Sequence, residues 1–139
     1  SEAYRRDVLG AAEASLDSTL ATLAVTAVAD SSPDRVIEAL TALQAARYAD
    51  GIDVTDVAAV AAVLTQHNFT DAAARVLHPD APLQSLVLSR TDAARTLMAT
   101  YNIQGVPALI AEIGGEGRVL HSATLYAGPE AVLAAIRLA

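Results

Sequence analysis

Residues 102–113 read NIQGVPALIAEI, and they decide how the C-terminal third of this 139-residue chain folds. The apolar run after Pro107 is typical of a buried β-strand. Proline has no N–H to donate to a β-ladder and is normally excluded from central strands. Pro107 therefore marks either the start or edge of a strand, or a backbone segment that does not pair. We expect a strand over residues 107–113, a glycine-rich turn at 114–117 and a partner strand over 118–125.

Helices are predicted on both sides of this hairpin. A long helix is expected over residues 83–100. Pro129 and Glu130 indicate the start of a terminal helix, because proline fits the first helical position and an acid is favourable in the first turn. The order is therefore helix, β-hairpin, helix. Two antiparallel strands do not make a stable sheet alone, so this order predicts half of a larger domain.

The N-terminal region is predicted to be a bundle of short helices. Helix start signals occur as DS at 17–18, SSPD at 31–34 and TD at 55–56, each followed by apolar residues at helical spacing. Short connections between such helices are typical of a small bundle. We therefore assign residues 1–78 to a helical domain and residues 79–139 to a second domain.

The predicted fold class is α+β and mostly helical. The helix after SSPD carries its predicted core stripe at Val36, Leu40, Leu43 and Arg47, with Ile37 beside it. Hydrophobic residues make up 53% of the chain but aromatic residues only 4%. Alanine, valine and leucine must therefore form the core, which favours closely packed helices and disfavours an all-β fold.

Charge and hydropathy exclude two classes of partner. The formal net charge is −7 and the basic residues are scattered, whereas nucleic-acid binding needs clustered Lys and Arg. We expect no nucleic-acid partner. No stretch approaches the ~20 apolar residues of a membrane span, so we expect no membrane partner either.

The chain contains no cysteine, which removes disulfides, thiolate metal sites and thiol chemistry from these residues. Its histidines match no metal-ligand spacing that we can identify. They are His67, His78 and His121. The acids at 50, 53 and 56 lack the glycine and closing glutamate positions of a calcium loop, and we interpret them as helix caps. We expect no metal and no cofactor.

Three stretches, in this order and spacing, resemble the DsbA-like thiol–disulfide oxidoreductases, in their bacterial protein-disulfide isomerase branch. They are LTALQAARYADGIDVTD at 40–56, ARTLMATYNIQGVPALI at 94–110 and YAGPEAVLAAI at 126–136. The resemblance covers most of the chain from about residue 17 onward. It implies a helical insert domain followed by the C-terminal half of a thioredoxin-like fold.

The resemblance also implies a substrate-binding loop at Gln104, Gly105, Val106 and Pro107. In that family the proline after Gly-Val follows a cis peptide bond. The resemblance implies that the residue before this proline, here Val106, would touch the redox-active sulfurs. An extended protein or peptide substrate would pair with the neighbouring backbone by strand addition.

This chain departs from the family in one large respect. The family uses a Cys-x-x-Cys pair at a helix N-terminus, where the thiol pKa is lowered, and no such pair is present here. None of these residues is therefore expected to be catalytic. One hypothesis is that the chain is a portion of a longer oxidoreductase. The alternative is a thiol-free module that binds a peptide or partner and completes its sheet as a homodimer.

Overall fold

The computed structural model describes residues 1–10, 17–120 and 122–137, and these are mostly helical with one two-stranded antiparallel sheet. This confirms the mostly helical α+β class. The elements are α1 (Thr19–Ser31), α2 (Val36–Tyr48), α3 (Val57–Gln66), α4 (Thr70–Leu77), α5 (Ala81–Thr100), β1 (Leu109–Ile113), β2 (Glu116–Leu120), α6 (Ser122–Tyr126) and α7 (Pro129–Arg137). In addition, Tyr4–Leu9 forms a π-helix and Pro33–Arg35 a 3₁₀ turn that leads into α2.

The chain divides into two compact units, Ser1–Arg90 and Thr91–Ala139. The division falls within α5, whereas the sequence placed a boundary between residues 78 and 79. The assignment of domains to 1–78 and 79–139 stays a prediction.

The core of the first unit is built largely from small side chains of α1 to α4 and the start of α5. Alanine at helix contacts lets the backbones approach closely, so a dense core forms with few aromatic residues. The side chains with no exposed surface include Ala24, Ala27, Val28, Ala39, Val60, Leu64 and Leu83.

The buried face of α2 differs from the predicted stripe. Leu43 and Arg47 are buried as expected, but Leu40 is 38% exposed and Ile37 is 72% exposed. Alanines at positions 39, 42 and 46 complete the buried face instead. The stripe is displaced because alanine permits the closest helix packing, which outweighs the larger apolar area of leucine and isoleucine here.

Two helices end in the same way, with an asparagine in the left-handed region. Asn68 follows α3 with φ = 61°, and Asn102 follows α5 with φ = 50°. In both cases the N–H of the next residue, Phe69 or Ile103, donates to the carbonyl five residues earlier, at 2.9 and 2.8 Å. This is a Schellman motif, in which the residue after the left-handed one packs inward. Phe69 and Ile103 are accordingly buried.

An arginine on α4 joins three elements of the first unit. The Arg75 guanidinium donates to both carboxylate oxygens of Asp80, at 3.0 and 3.1 Å, and to Asp30 at the end of α1, at 2.8 Å. Asp80 also accepts a 2.7 Å hydrogen bond from the N–H of Leu83, in the first turn of α5. These contacts hold the pKa of Asp80 below its ordinary value, chiefly through the hydrogen bond from Arg75.

The hairpin is shorter than the sequence suggested. β1 begins at Leu109 rather than at residue 107, and β2 ends at Leu120, after which α6 occupies most of the predicted end of the strand. His121, which was predicted to lie in that strand, is outside the described residues. The turn is formed by Gly114 and Gly115 with φ of 61° and 87°, a two-residue connection that only glycine adopts readily at both positions.

Candidate functional site

The loop that carries the predicted site residues is positioned by the C-terminal end of α5. Ile103 is buried there and closes the Schellman motif, so the chain leaves the helix in a defined direction. Beyond it, the Gln104 side-chain amide donates to the Asn102 side-chain oxygen at 2.8 Å. Gln104, the first predicted site residue, is therefore hydrogen-bonded to Asn102, which follows the end of α5.

All four predicted site residues are exposed and follow one another in a single turn. Val106 is 82% exposed, and Gln104, Gly105 and Pro107 also face solvent. The Val106–Pro107 peptide bond is cis, as the resemblance implies. Pro107 lies two residues before β1, so its missing N–H removes no bond from the β-ladder. This resolves the question that the proline raised.

The strand that follows the loop has one paired edge and one outer edge. β1 pairs only with β2 within the described part of the chain, from Leu109 opposite Leu120 to Ile113 opposite Glu116. In a two-residue hairpin the pair that flanks the turn is hydrogen-bonded, and the bonded pairs then alternate. The N–H and C=O groups of Ile110 and Glu112 therefore point away from β2.

An open groove of about 400 Å³ lies on one face of this hairpin. Residues of α5 and of both strands line it, namely Leu97, Tyr101, Ile110, Glu112, Gly115 and Gly117. All of them belong to the second unit. The lining combines apolar side chains, a phenol and one carboxylate, which suits a ligand with both apolar and polar groups.

Gly117 allows Tyr101 to lie directly against the hairpin. A Cβ atom added at Gly117 would overlap the Tyr101 hydroxyl and would lie 2.5 Å from the ring carbon that bears it. The absence of a side chain on β2 at this point is thus what seats the Tyr101 ring in the groove.

Of the acids considered as a calcium loop, Asp56 caps a helix and Asp53 forms a local turn. Asp56 is the N-cap of α3 and accepts a 2.8 Å hydrogen bond from the N–H of Ala58. Asp53 accepts from both the N–H and the hydroxyl of Thr55, and these bonds lower the pKa of Asp53. Across residues 1–10, 17–120 and 122–137, no group of three or more His, Asp or Glu side chains is arranged to hold a metal ion.

The histidines serve helix ends where they are described. His67 is the C-cap of α3 and His78 the C-cap of α4.

None of the helices in the described part of the chain combines the length and the apolar character needed to cross a membrane.

Sequence reasoning predicted a site at residues 104–107 but did not predict the groove on the hairpin. The alternation of side chains along a strand could have placed Ile110 and Glu112 on one face. The contact between Tyr101 and Gly117 has no such signal, since it depends on how the helix lies over the sheet.

Comparison with protein-family models, with curated proteins and with solved structures found no match to this chain.

Proposed function

We propose that this chain supplies the helical domain and the substrate-binding loop of a DsbA-like thiol–disulfide oxidoreductase. The observation that carries the proposal is the exposed turn at residues 104–107, which leads directly into a strand whose outer edge has no partner among the described residues. The second unit also runs from helix through hairpin to helix, the order of the C-terminal half of a thioredoxin-like fold, with the short α6 inserted.

An extended substrate would bind through its backbone in this proposal. The exposed backbone beside the proline, at residues 104–107, offers hydrogen bonds to a strand laid beside it. Val106 would contact the residue of the substrate that carries the disulfide. Pairing with the backbone tolerates many sequences, which suits an enzyme that acts on many proteins.

The chemistry itself needs thiols that this chain does not contain. A Cys-x-x-Cys pair on a further polypeptide segment would supply them, and disulfide exchange would proceed by attack of its thiolate on the substrate disulfide. The residues described here bind and orient the substrate.

The intact mass of the protein made by its native host, with a thiol titration on the same sample, tests this proposal. We expect a species heavier than 14.3 kDa with two titratable thiols. A native product of 14.3 kDa without thiols would contradict the oxidoreductase proposal.

The unpaired sheet favours a second candidate function. A thiol-free module could use the same edge to hold a peptide or a second copy of itself, because open edges pair readily with other chains. The thiol titration distinguishes the two candidates, whereas dimer formation alone does not.

A further inference from the structure

A second open groove, of about 340 Å³, lies between α2 and α3 in the first unit. Its middle is lined by small and apolar side chains, and the carboxylate of Asp50 lies at one end. We infer that this groove binds a linear aliphatic primary amine, with the ammonium group at Asp50 and the chain extending towards Ile37. The inference is independent of the proposed oxidoreductase function, because it uses neither the loop at residues 104–107 nor the hairpin.

Small side chains on α2 open the groove. The lining positions on this helix are 37, 38, 41, 42, 45 and 46, which recur at the spacing of one helix face. Between 41 and 46 the largest lining side chain is that of Thr41, whose hydroxyl already donates to the carbonyl of Ile37 at 2.8 Å. The floor of the groove is therefore low and mostly apolar over more than one turn of α2.

Hydrogen bonds fix the walls of the groove at both ends. Arg35 donates to the carbonyl of His67 at 3.0 Å, which ties the start of α2 to the end of α3. At the other end the N–H of Ile52 donates to the carbonyl of Ala46 at 2.9 Å. The groove is therefore shaped by the fold itself, as is usual for small-molecule sites.

The two ends of the groove differ in charge. Glu38 lines one end, but both of its carboxylate oxygens accept hydrogen bonds from the Arg35 guanidinium, at 2.6 and 2.9 Å. Asp50 lines the other end and is exposed, and its carboxylate forms no ion pair or side-chain hydrogen bond with residues 1–10, 17–120 or 122–137. An ammonium group is therefore attracted to the Asp50 end, and a carboxylate there would be repelled.

The dimensions of the groove suit a single extended chain. Asp50 follows Ile37 by thirteen residues, and helical bonding continues to Asp50, whose N–H donates to the carbonyl of Ala45 at 3.1 Å. At 1.5 Å per residue the groove is up to about 20 Å long. A volume of 340 Å³ over this length leaves a width of about 4 Å, too narrow for a helix about 10 Å across.

The same volume sets the length of the chain. A groove of 340 Å³ holds about eleven groups the size of a water molecule, at about 30 Å³ each. Eleven atoms in an extended chain span about 12 Å, because three bonds span roughly 3.5 Å. An amine of this length at Asp50 lies along the alanines of α2 and brings its tail towards Ile37, which is 72% exposed.

The test titrates the full 139-residue chain with three ligands at pH 7 and low ionic strength, each below its micelle concentration. They are decylamine, which has eleven heavy atoms, decanoate, and butylamine, which has the stem length of a lysine side chain. Calorimetry should show decylamine binding about tenfold more tightly than decanoate, because of the charge, and at least about tenfold more tightly than butylamine, because of the longer buried chain. Amide shifts in NMR spectra are expected within residues 37–52 and 63–67.

A charge variant assigns the preference for the amine to Asp50. Asp50→Asn should lower the affinity for decylamine by about fivefold and leave that for decanoate no weaker. Asp71→Asn is the matched control, because Asp71 is an exposed acid of α4 outside the groove lining and the substitution makes the same change in net charge. It should leave both affinities nearly unchanged.

A steric variant assigns the binding of the chain to the groove. Ala45→Leu fills the floor and should lower the affinity for decylamine at least about tenfold. Ala62→Leu is its control, because Ala62 is an exposed alanine of α3 outside the groove lining. Leucine is a strong helix former, so both variants should fold, and thermal melts check this.

Equal affinity for decylamine and decanoate would overturn the inference, and so would equal affinity for decylamine and butylamine. Equal losses in Asp50→Asn and Asp71→Asn would show that the amine responds only to the net charge of the protein, which also overturns it. Amide shifts confined to residues 91–137 would place the ligand in the second unit and have the same consequence. Asp50→Asn removes no packing, so its result stands even if Ala45→Leu fails to fold.

Discussion

Val106 is the most exposed of the large apolar side chains in the described part of the chain, at 82%. An aliphatic side chain at the tip of a turn gains nothing from the core. It does supply apolar surface to anything that lies over the loop. We therefore expect the Val106 side chain to contribute to binding rather than to the stability of the fold.

Replacing this side chain separates the two roles. Val106→Ala should change the free energy of unfolding by no more than about 0.5 kcal/mol, because no buried contact is lost. Binding of an extended peptide that lies over residues 104–107 should weaken by about fivefold, as expected for the loss of about 1 kcal/mol of apolar burial. Thermal melts and a titration with a peptide substrate of the proposed oxidoreductase measure the two effects.

Ile37→Ala is the control, since Ile37 is also exposed, at 72%, but lies in the first unit. It should alter neither stability nor peptide affinity. A large loss of stability in Val106→Ala would show that the loop is structural.

The structure also explains the identity of Gly117. Gly117→Ala should push the Tyr101 ring off the hairpin and cost roughly 1 kcal/mol, because the added methyl overlaps that ring. Faster hydrogen exchange in β1 and β2 would report the change.

Two further variants test that explanation. Gly105→Ala should be nearly neutral, since nothing lies within 4 Å of a Cβ atom added there. In a Tyr101→Ala background the extra cost of Gly117→Ala should disappear. Additive effects of the two substitutions would argue against the contact.

At the scale of elements, most helices could be read from the sequence. Capping residues are local signals, so the starts of α1 and α3 and the proline before α2 were predicted correctly. The buried face of α2 was not predicted correctly. A hydrophobic stripe is chosen from the most apolar residues at helical spacing, whereas close helix packing favours alanine. The end of β2 was also missed, since a short apolar run such as SATL fits a helix or a strand equally well.

Asp80 links α4 to the start of α5 through a charge, and the link should depend on pH. Its pKa is lowered in the folded state, so its contribution to stability is complete above the unfolded value of about 3.9 and is lost as the pH falls through the folded value. Asp80→Asn keeps a good capping side chain but removes the charge.

The expected result is a lower melting temperature for Asp80→Asn at pH 7, with the difference from wild type shrinking below about pH 4. Scanning calorimetry of both proteins over this range measures it. A difference that stays constant with pH would mean that the charge of Asp80, and so its ion pair with Arg75, contributes nothing to folding.

The two units of the molecule differ in how much they bury. In the second unit, the buried apolar side chains that the structure describes are Ile103 and Leu120, whereas the first unit has a continuous core. Regions with few buried contacts open more easily. The extent of this contrast depends on tertiary packing and could not be read from the sequence.

Hydrogen exchange on the whole chain should show this contrast. Amides of α3 and α4 are expected to be the slowest to exchange, and those of β1, β2 and α7 the fastest. Uniform protection across both units would contradict the expectation that their stabilities differ.

The Gly114–Gly115 turn determines which enantiomer of an amino acid could replace its glycines. A Cβ atom added at either position would meet nothing within 4 Å, yet both residues have positive φ. The obstacle to a side chain there is therefore handedness rather than space. A D-alanine, whose preferred φ is positive, should fit where L-alanine is strained, and the mirror-image residue would stiffen the hairpin by restricting its unfolded chain.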